Sequence, residues 1–127
     1  MLHHLALTAS SIARSLPFYD AVLSCLGYAR TLTRDQLAAW EGPEPEILLY
    51  QARVGQEDAR HTLYDPGIHH IAFRAGARDI VDRVERRVVE LNGTILESAR
   101  EYPNYAPGYY AVFFLDPEGI KFEVMHV

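Results

Sequence analysis

The chain has 127 residues, enough for one ordinary domain with a core of its own. Lys and Arg number 12 against 17 Asp and Glu, and a net charge of −5 argues against a nucleic acid or an anionic membrane as partner. Hydrophobic residues at 49% and charged residues at 23% exclude a disordered chain, and a single cysteine excludes an internal disulfide. No apolar run approaches the roughly 18 residues of a membrane span. The lone cysteine and the lack of a signal-peptide pattern point to a reducing compartment, the cytoplasm.

The first strand is predicted over residues 4–9, His4-Leu5-Ala6-Leu7-Thr8-Ala9. Ile12, Leu16, Tyr19, Leu23 and Leu26 then recur at three- and four-residue steps, the period of a helix. Pro17 fits that pattern if the regular helix starts near Ser15, because the first turn has no upstream carbonyl to bond. Gly27 suits the position just past the helix end, where a left-handed backbone is cheap without a Cβ. Strands are predicted over 28–33, 37–40 and 46–51. Residues 54–67 are polar, contain Pro66-Gly67, and read as a linker.

The second half repeats the first. His70-Ile71-Ala72-Phe73-Arg74-Ala75 matches the opening strand at an offset of 66, and Ile80, Val84, Val88 and Leu91 carry the helical period. Gly93 follows His70 by 23 residues, as Gly27 follows His4, and is predicted to end its helix in the same way. Further strands are predicted over 94–98, 109–115 and 121–126, with Asp116-Pro117-Glu118-Gly119 as the turn between the last two. A loop over 99–108, rich in Tyr, Pro and Asn, could cover a pocket. The chain therefore reads as one α+β domain of two βαβββ modules, 1–53 and 68–127. The repeat would bring the first and fifth strands side by side.

Strand side chains alternate faces. Leu5 and Leu7, Ile71 and Phe73, and Phe122 and Val124 are expected to pack on the helices. His4, His70 and Glu123 then share the opposite, helix-free face. Two neutral imidazoles and one carboxylate suit a divalent cation of borderline softness and leave positions open for water or substrate. His3 and His69 have the other parity and are assigned to the other face, near sheet edges or in supporting roles. Cys25 lies in the first helix with no His at helical spacing, which argues against a nucleophile.

These features together resemble the vicinal oxygen chelate superfamily: glyoxalase I, bleomycin-resistance proteins, extradiol dioxygenases, fosfomycin-resistance enzymes and methylmalonyl-CoA epimerase. The carriers are His4-Leu5-Ala6-Leu7 with Ser15-Leu16-Pro17-Phe18-Tyr19, Gly67-Ile68-His69-His70-Ile71-Ala72-Phe73, and the run from Phe113 to Val124. The resemblance implies paired modules forming an open, barrel-like mixed β-sheet with helices outside, and metal ligands at His4, His70 and Glu123. It also implies a homodimer. One position departs from the pattern: glyoxalase I and the epimerase carry a fourth ligand, Glu or Gln, where this chain has Leu48. Glu46 or Gln51 could replace it only if the strand register is shifted.

Two functions follow. One is a metal-dependent enzyme whose Fe, Mn, Zn or Ni ion chelates a small substrate through adjacent oxygens, as an isomerase, lyase, dioxygenase or transferase. Tyr50, Tyr105, Tyr109 and Tyr110 could line its cavity and relay a proton, and Arg74 could bind an anionic substrate group; Tyr50, Tyr105, Tyr110 and Arg74 are the candidate catalytic residues. The alternative is a protein that binds and sequesters an antibiotic-like small molecule without catalysis, using the aromatic loop as a stacking surface. A metal-free interaction module has no specific support in the sequence.

Overall fold

The computed structural model describes residues 1–127. The chain divides into two compact units, Met1–Arg60 and His61–Val127. The first contains β1 (His4–Ala9), α1 (Ile12–Cys25), β2 (Ala29–Arg34), β3 (Leu37–Glu41) and β4 (Glu46–Gln51). The second contains β5 (Ile71–Arg74), α2 (Arg78–Glu90), β6 (Thr94–Glu101), β7 (Tyr110–Leu115) and β8 (Lys121–His126). The fold is α+β, with two βαβββ modules. No helix is long and apolar enough to cross a membrane.

Each module forms its own four-stranded mixed sheet, ordered β1-β4-β3-β2 in the first and β5-β8-β7-β6 in the second. The opening strand runs parallel to the last strand of its module and the other pairs are antiparallel. β1 bonds to β4 and β5 to β8, so each opening strand lies at the edge of its own sheet.

The predicted parity holds within each sheet. In the first unit Leu7, Leu49, Ala38, Trp40 and Ile47 are buried and share a face through the registers Leu7↔Leu49, Ala38↔Leu49 and Trp40↔Ile47. In the second, Phe122 stacks between Phe73 and Phe114, both at 5.9 Å and 15°, and Val81, Val84 and Val88 of α2 are fully buried. Each such side chain removed from water contributes about 1.5–3 kcal/mol.

Three local expectations are corrected. The first helix begins at Ile12 rather than near Ser15, because Ser11 caps it: its hydroxyl accepts from the Arg14 amide at 3.2 Å. Pro17 therefore lies inside the helix and removes one backbone donor there. Gly27 does take the left-handed position, at φ +87°, but in the second module Asn92 takes it, at φ +55°. Gly93 is one residue further on and serves close approach instead. A Cβ there would stand 2.7 Å from Cγ1 of Val88, and its N–H closes the helix end on the Val88 carbonyl at 2.8 Å. Lastly, β6 runs to Glu101, so the tyrosine-rich loop shortens to residues 102–109.

Candidate metal centre

Glu123 sits in the middle of β8, opposite Ala72 of β5 and Phe113 of β7. Its side chain is on the helix-free face and only 4% exposed. A carboxylate in such a place needs partners, because burial without them is costly. It has two. The Tyr109 hydroxyl donates to Oε1 at 2.5 Å, and Nε2 of His70 stands 3.2 Å from Oε2. His70 immediately precedes β5.

Tyr109 is held by its loop and by aromatic packing. Tyr102 N–H donates to the Tyr109 carbonyl at 2.8 Å, and Tyr109 N–H to the Ala106 carbonyl at 3.2 Å. Tyr102, Ala111, Phe113 and Met125 form a small buried cluster beneath it. Tyr105 meets the Tyr109 ring edge-on at 5.4 Å and stacks on Tyr102 at 5.4 Å and 6°. Burial, and then the adjacent Glu123 carboxylate, push the Tyr109 hydroxyl well above the ordinary phenol range. Burial, with the hydrogen bond to Glu97 next, pushes Tyr102 up to about 12. Glu97 is held below the usual carboxylate range by that same hydrogen bond and by Arg100.

Both phenols are harder to ionise folded than unfolded. Their contribution to stability is therefore complete below the ordinary phenol value of about 10 and is lost as pH rises through the folded values. An absorbance titration of tyrosinate is expected to show Tyr102 and Tyr109 ionising well after an ordinary phenol. Tyr109→Phe and Tyr102→Phe should each remove one late proton. A titration with every phenol ionising near its ordinary value would contradict this placement.

The other predicted residues are distributed as follows. Arg74 shares the face of Glu123 through the register Arg74↔Met125, lies close enough to Tyr109 to favour its anion, and approaches the Val127 carbonyl at 3.5 Å. Tyr105 is 58% exposed above Tyr109. Tyr110 is not brought to Glu123: it lies on the helix side of β7, its hydroxyl donating to Asp82 of α2 at 2.7 Å and its ring under Arg78. In the first unit, His4 and Tyr50 lie on one face of their sheet, and Tyr50 is 44% exposed. Leu48 pairs with Ala6 as Glu123 pairs with Ala72, so the equivalent of the Glu123 position is occupied by leucine without any register shift. Glu46 nevertheless lies directly opposite His4, on its face.

Tyr109, His3 and His69 make contacts that the sequence expectations do not include. The tight turn at Asp116–Gly119 fixes the register Phe113↔Glu123, so alternation along β7 places Tyr109, not Tyr110, on the Glu123 face. His3 and His69 each bring a ring nitrogen close to the histidine that follows. Both lie outside the strands, which begin at His4 and Ile71.

The geometry of the pair suits a cation. Two donors bound at about 2.1 Å to one tetrahedral ion stand about 3.4 Å apart, close to the 3.2 Å between His70 and Glu123. No group of three or more His, Cys, Asp or Glu side chains comes together at metal-holding distance, and His4 belongs to the first unit.

The model of the Glyoxalase/Bleomycin resistance protein/Dioxygenase superfamily matches residues 1–124. The chain belongs to that superfamily. Members often bind divalent metals, act on small molecules and form dimers. YqjT of Bacillus subtilis strain 168, itself uncharacterized, is 26% identical over 124 residues, covering 98% of this chain and 97% of that protein. The solved structure of a candidate glyoxalase from Bacillus halodurans is similar at TM-score 0.83 and 26% identity, over 100% of this chain and 96% of that one. The lactoylglutathione lyase of Agrobacterium tumefaciens is similar at TM-score 0.68 and 25% identity, over 99% and 92%.

Proposed function

We propose that this superfamily member is a metal-dependent enzyme acting on a small substrate chelated through two adjacent oxygens. His4, His70 and Glu123 would hold the divalent ion, one of Fe, Mn, Zn or Ni. The observation that carries this reading is the 3.2 Å approach of Nε2 of His70 to the buried Glu123 carboxylate. When bound, the ion supplies Lewis acidity for an enolate or alkoxide, or for a bound nucleophile.

The chain's own residues divide the remaining work. Tyr109 stays protonated at neutral pH, so it acts as a hydrogen-bond donor that fixes the carboxylate and not as a base. Arg74 offers a positive charge on the same face for an anionic substrate group, and Tyr105 an exposed ring for stacking. Tyr50 would contribute from the face of His4. Tyr110 is committed to Asp82 and has no part in this reading. With Leu48 where glyoxalase I and the epimerase resemblance calls for a fourth carboxylate or amide, the set is of the two-His, one-carboxylate kind. That kind favours dioxygenase or transferase chemistry over a glyoxalase I isomerisation, despite the likeness to the lactoylglutathione lyase. A homodimer in the cytoplasm fits the resemblance and the lone Cys25, which forms no disulfide.

The ladder of Tyr102, Tyr105 and Tyr109 supports the second reading, sequestration of an aromatic ligand. Calorimetric titration with Zn²⁺, Mn²⁺, Ni²⁺ and Fe²⁺, then with catechol as a vicinal-oxygen probe, separates the two. The enzyme reading expects one tightly bound cation per chain, catechol binding that depends on it, and loss of both in His70→Ala. Catechol bound equally well by a metal-free His70→Ala chain would favour sequestration, and failure of all four metals to bind would overturn the enzyme reading.

A further inference from the structure

The turn from β1 into α1 is held by one side chain. Gln51 ends β4, opposite Ala9. Its amide nitrogen donates to the Ser10 carbonyl at 2.8 Å, and its amide oxygen accepts from the Ile12 N–H at 3.0 Å. Ala52 N–H continues the ladder to the Ala9 carbonyl at 2.8 Å. Ser10 is thereby fixed at the end of β1 away from His4, and it is only 6% exposed.

Two arginines converge on Ser10. Nη2 of Arg14, in α1, donates to the Ser10 hydroxyl oxygen at 3.1 Å, and Nη1 of Arg60 donates to the same oxygen at 3.3 Å. Both nitrogens also share the Glu57 carbonyl, at 3.4 Å and 3.3 Å. Nη1 of Arg60 reaches the Ala59 carbonyl as well, at 2.7 Å. All of these acceptors are uncharged. Arg30, Arg78, Arg83, Arg87 and Arg100 each hold a carboxylate, but Arg14 and Arg60 hold none. Glu57, whose carbonyl both arginines share, turns its carboxylate to the Gly55 N–H at 3.1 Å instead.

Two guanidinium groups that share neutral acceptors repel each other, and they do so in a chain whose net charge is −5. Each guanidinium carries five N–H donors. Arg14 spends only Nη2 on the protein and Arg60 only Nη1. Nε of both residues, Nη1 of Arg14 and Nη2 of Arg60 remain for a further acceptor. An acceptor that relieves the repulsion and takes several donors at once is a multidentate oxyanion, which planar guanidinium forks fit in bidentate fashion. A carboxylate brings one charge, whereas a phosphate monoester brings nearly two and three acceptor oxygens. We propose that Arg14 and Arg60 form an oxyanion site that binds a phosphate group, with the buried Ser10 hydroxyl holding the two guanidinium groups together. The site belongs to the first unit and does not rest on the metal reading of His4, His70 and Glu123.

Isothermal titration calorimetry of the full, metal-free chain tests it, in a buffer without phosphate or sulfate and with inorganic phosphate and phenyl phosphate as probes. The wild type is expected to bind one phosphate group per chain, saturably. Arg14→Gln and Arg60→Gln should each weaken binding about tenfold or more, the worth of one charge-assisted hydrogen bond. Arg60→Lys keeps the charge and loses the planar fork, so its affinity should fall between those of the wild type and Arg60→Gln. Arg86→Gln, an exposed position of α2 that changes the net charge equally, should bind as the wild type does. Tighter binding of phenyl phosphate supports the site as one for phosphorylated small molecules, and tighter binding of inorganic phosphate supports it as one for the free ion. No saturable binding of either probe to the folded wild type overturns the proposal. So does wild-type affinity in both Arg14→Gln and Arg60→Gln, or an equal loss in Arg86→Gln, which would reduce the effect to general charge.

Discussion

Glu123→Gln is expected to weaken divalent-cation binding by at least about 100-fold, since loss of a supporting partner alone costs about 10–100-fold and this change removes a ligand. The chain should remain folded. The amide has the shape of the carboxylate, and its oxygen can still accept from Tyr109, so the hydrogen bond under the aromatic loop survives. With the negative charge gone, the Tyr109 hydroxyl should also ionise earlier than in the wild type, because Glu123 is one of the causes that raise it. Glu123→Ala differs in one respect. It leaves the Tyr109 hydroxyl without its acceptor, at a cost of about 1–3 kcal/mol, so metal affinity and stability fall together. Calorimetry with the metals, combined with urea denaturation, separates the two variants. Wild-type metal affinity in Glu123→Gln would remove Glu123 from the ligand set.

Trp40→Ala is expected to destabilise the first unit by about 3–5 kcal/mol, against a total of about 5–15 kcal/mol for a domain. Trp40 is 1% exposed on β3 and packs against Tyr19 of α1 at 5.5 Å. Its indole N–H donates to Asp20 at 2.8 Å, and Asp20 also takes Arg30 of β2 at 3.1 Å. One side chain thus joins β3, α1 and, through Asp20, β2. Trp40→Phe keeps a ring in the space and loses mainly the hydrogen bond, so its cost should be near 1 kcal/mol. Circular dichroism in urea measures both, because Trp40 is the sole tryptophan and its replacement removes the fluorescence signal. A loss below about 1 kcal/mol in Trp40→Ala would mean that this core can collapse around the gap.

The architecture was legible because it is written twice. Alternation in β1, β4, β5 and β8 separates helix-facing from helix-free residues, and the structure keeps that separation at Leu7, Leu49, Phe73 and Val124. What misled were residues whose ordinary meaning was overridden locally. Pro17 suggested a late helix start, but the Ser11 cap starts the helix earlier. Gly93 suggested a left-handed turn, but Asn92 takes that backbone and Gly93 answers to the crowding of Val88.

The site was legible in part. Parity selected His70 and Glu123, which do meet. Applied equally to β7 it would have ranked Tyr109 above Tyr110, since the Asp116–Gly119 turn sets the register. The histidine pairs escaped because alternation carries no information on contacts between neighbouring side chains. Alternation also assigns a residue only to a face of its own sheet. It carries no information on which side chains of two separate sheets meet, so the role of His4 beside the other two rests on the family resemblance.

X-ray absorption spectroscopy at the zinc or nickel edge of the metal-loaded chain tests the central claim most directly. A cation held by His4, His70 and Glu123 requires a first shell of nitrogen and oxygen at about 2.0–2.2 Å, with imidazole scattering from two rings that falls to one ring in His4→Ala. A bound metal without imidazole scattering, or with the same scattering after His4→Ala, would contradict it.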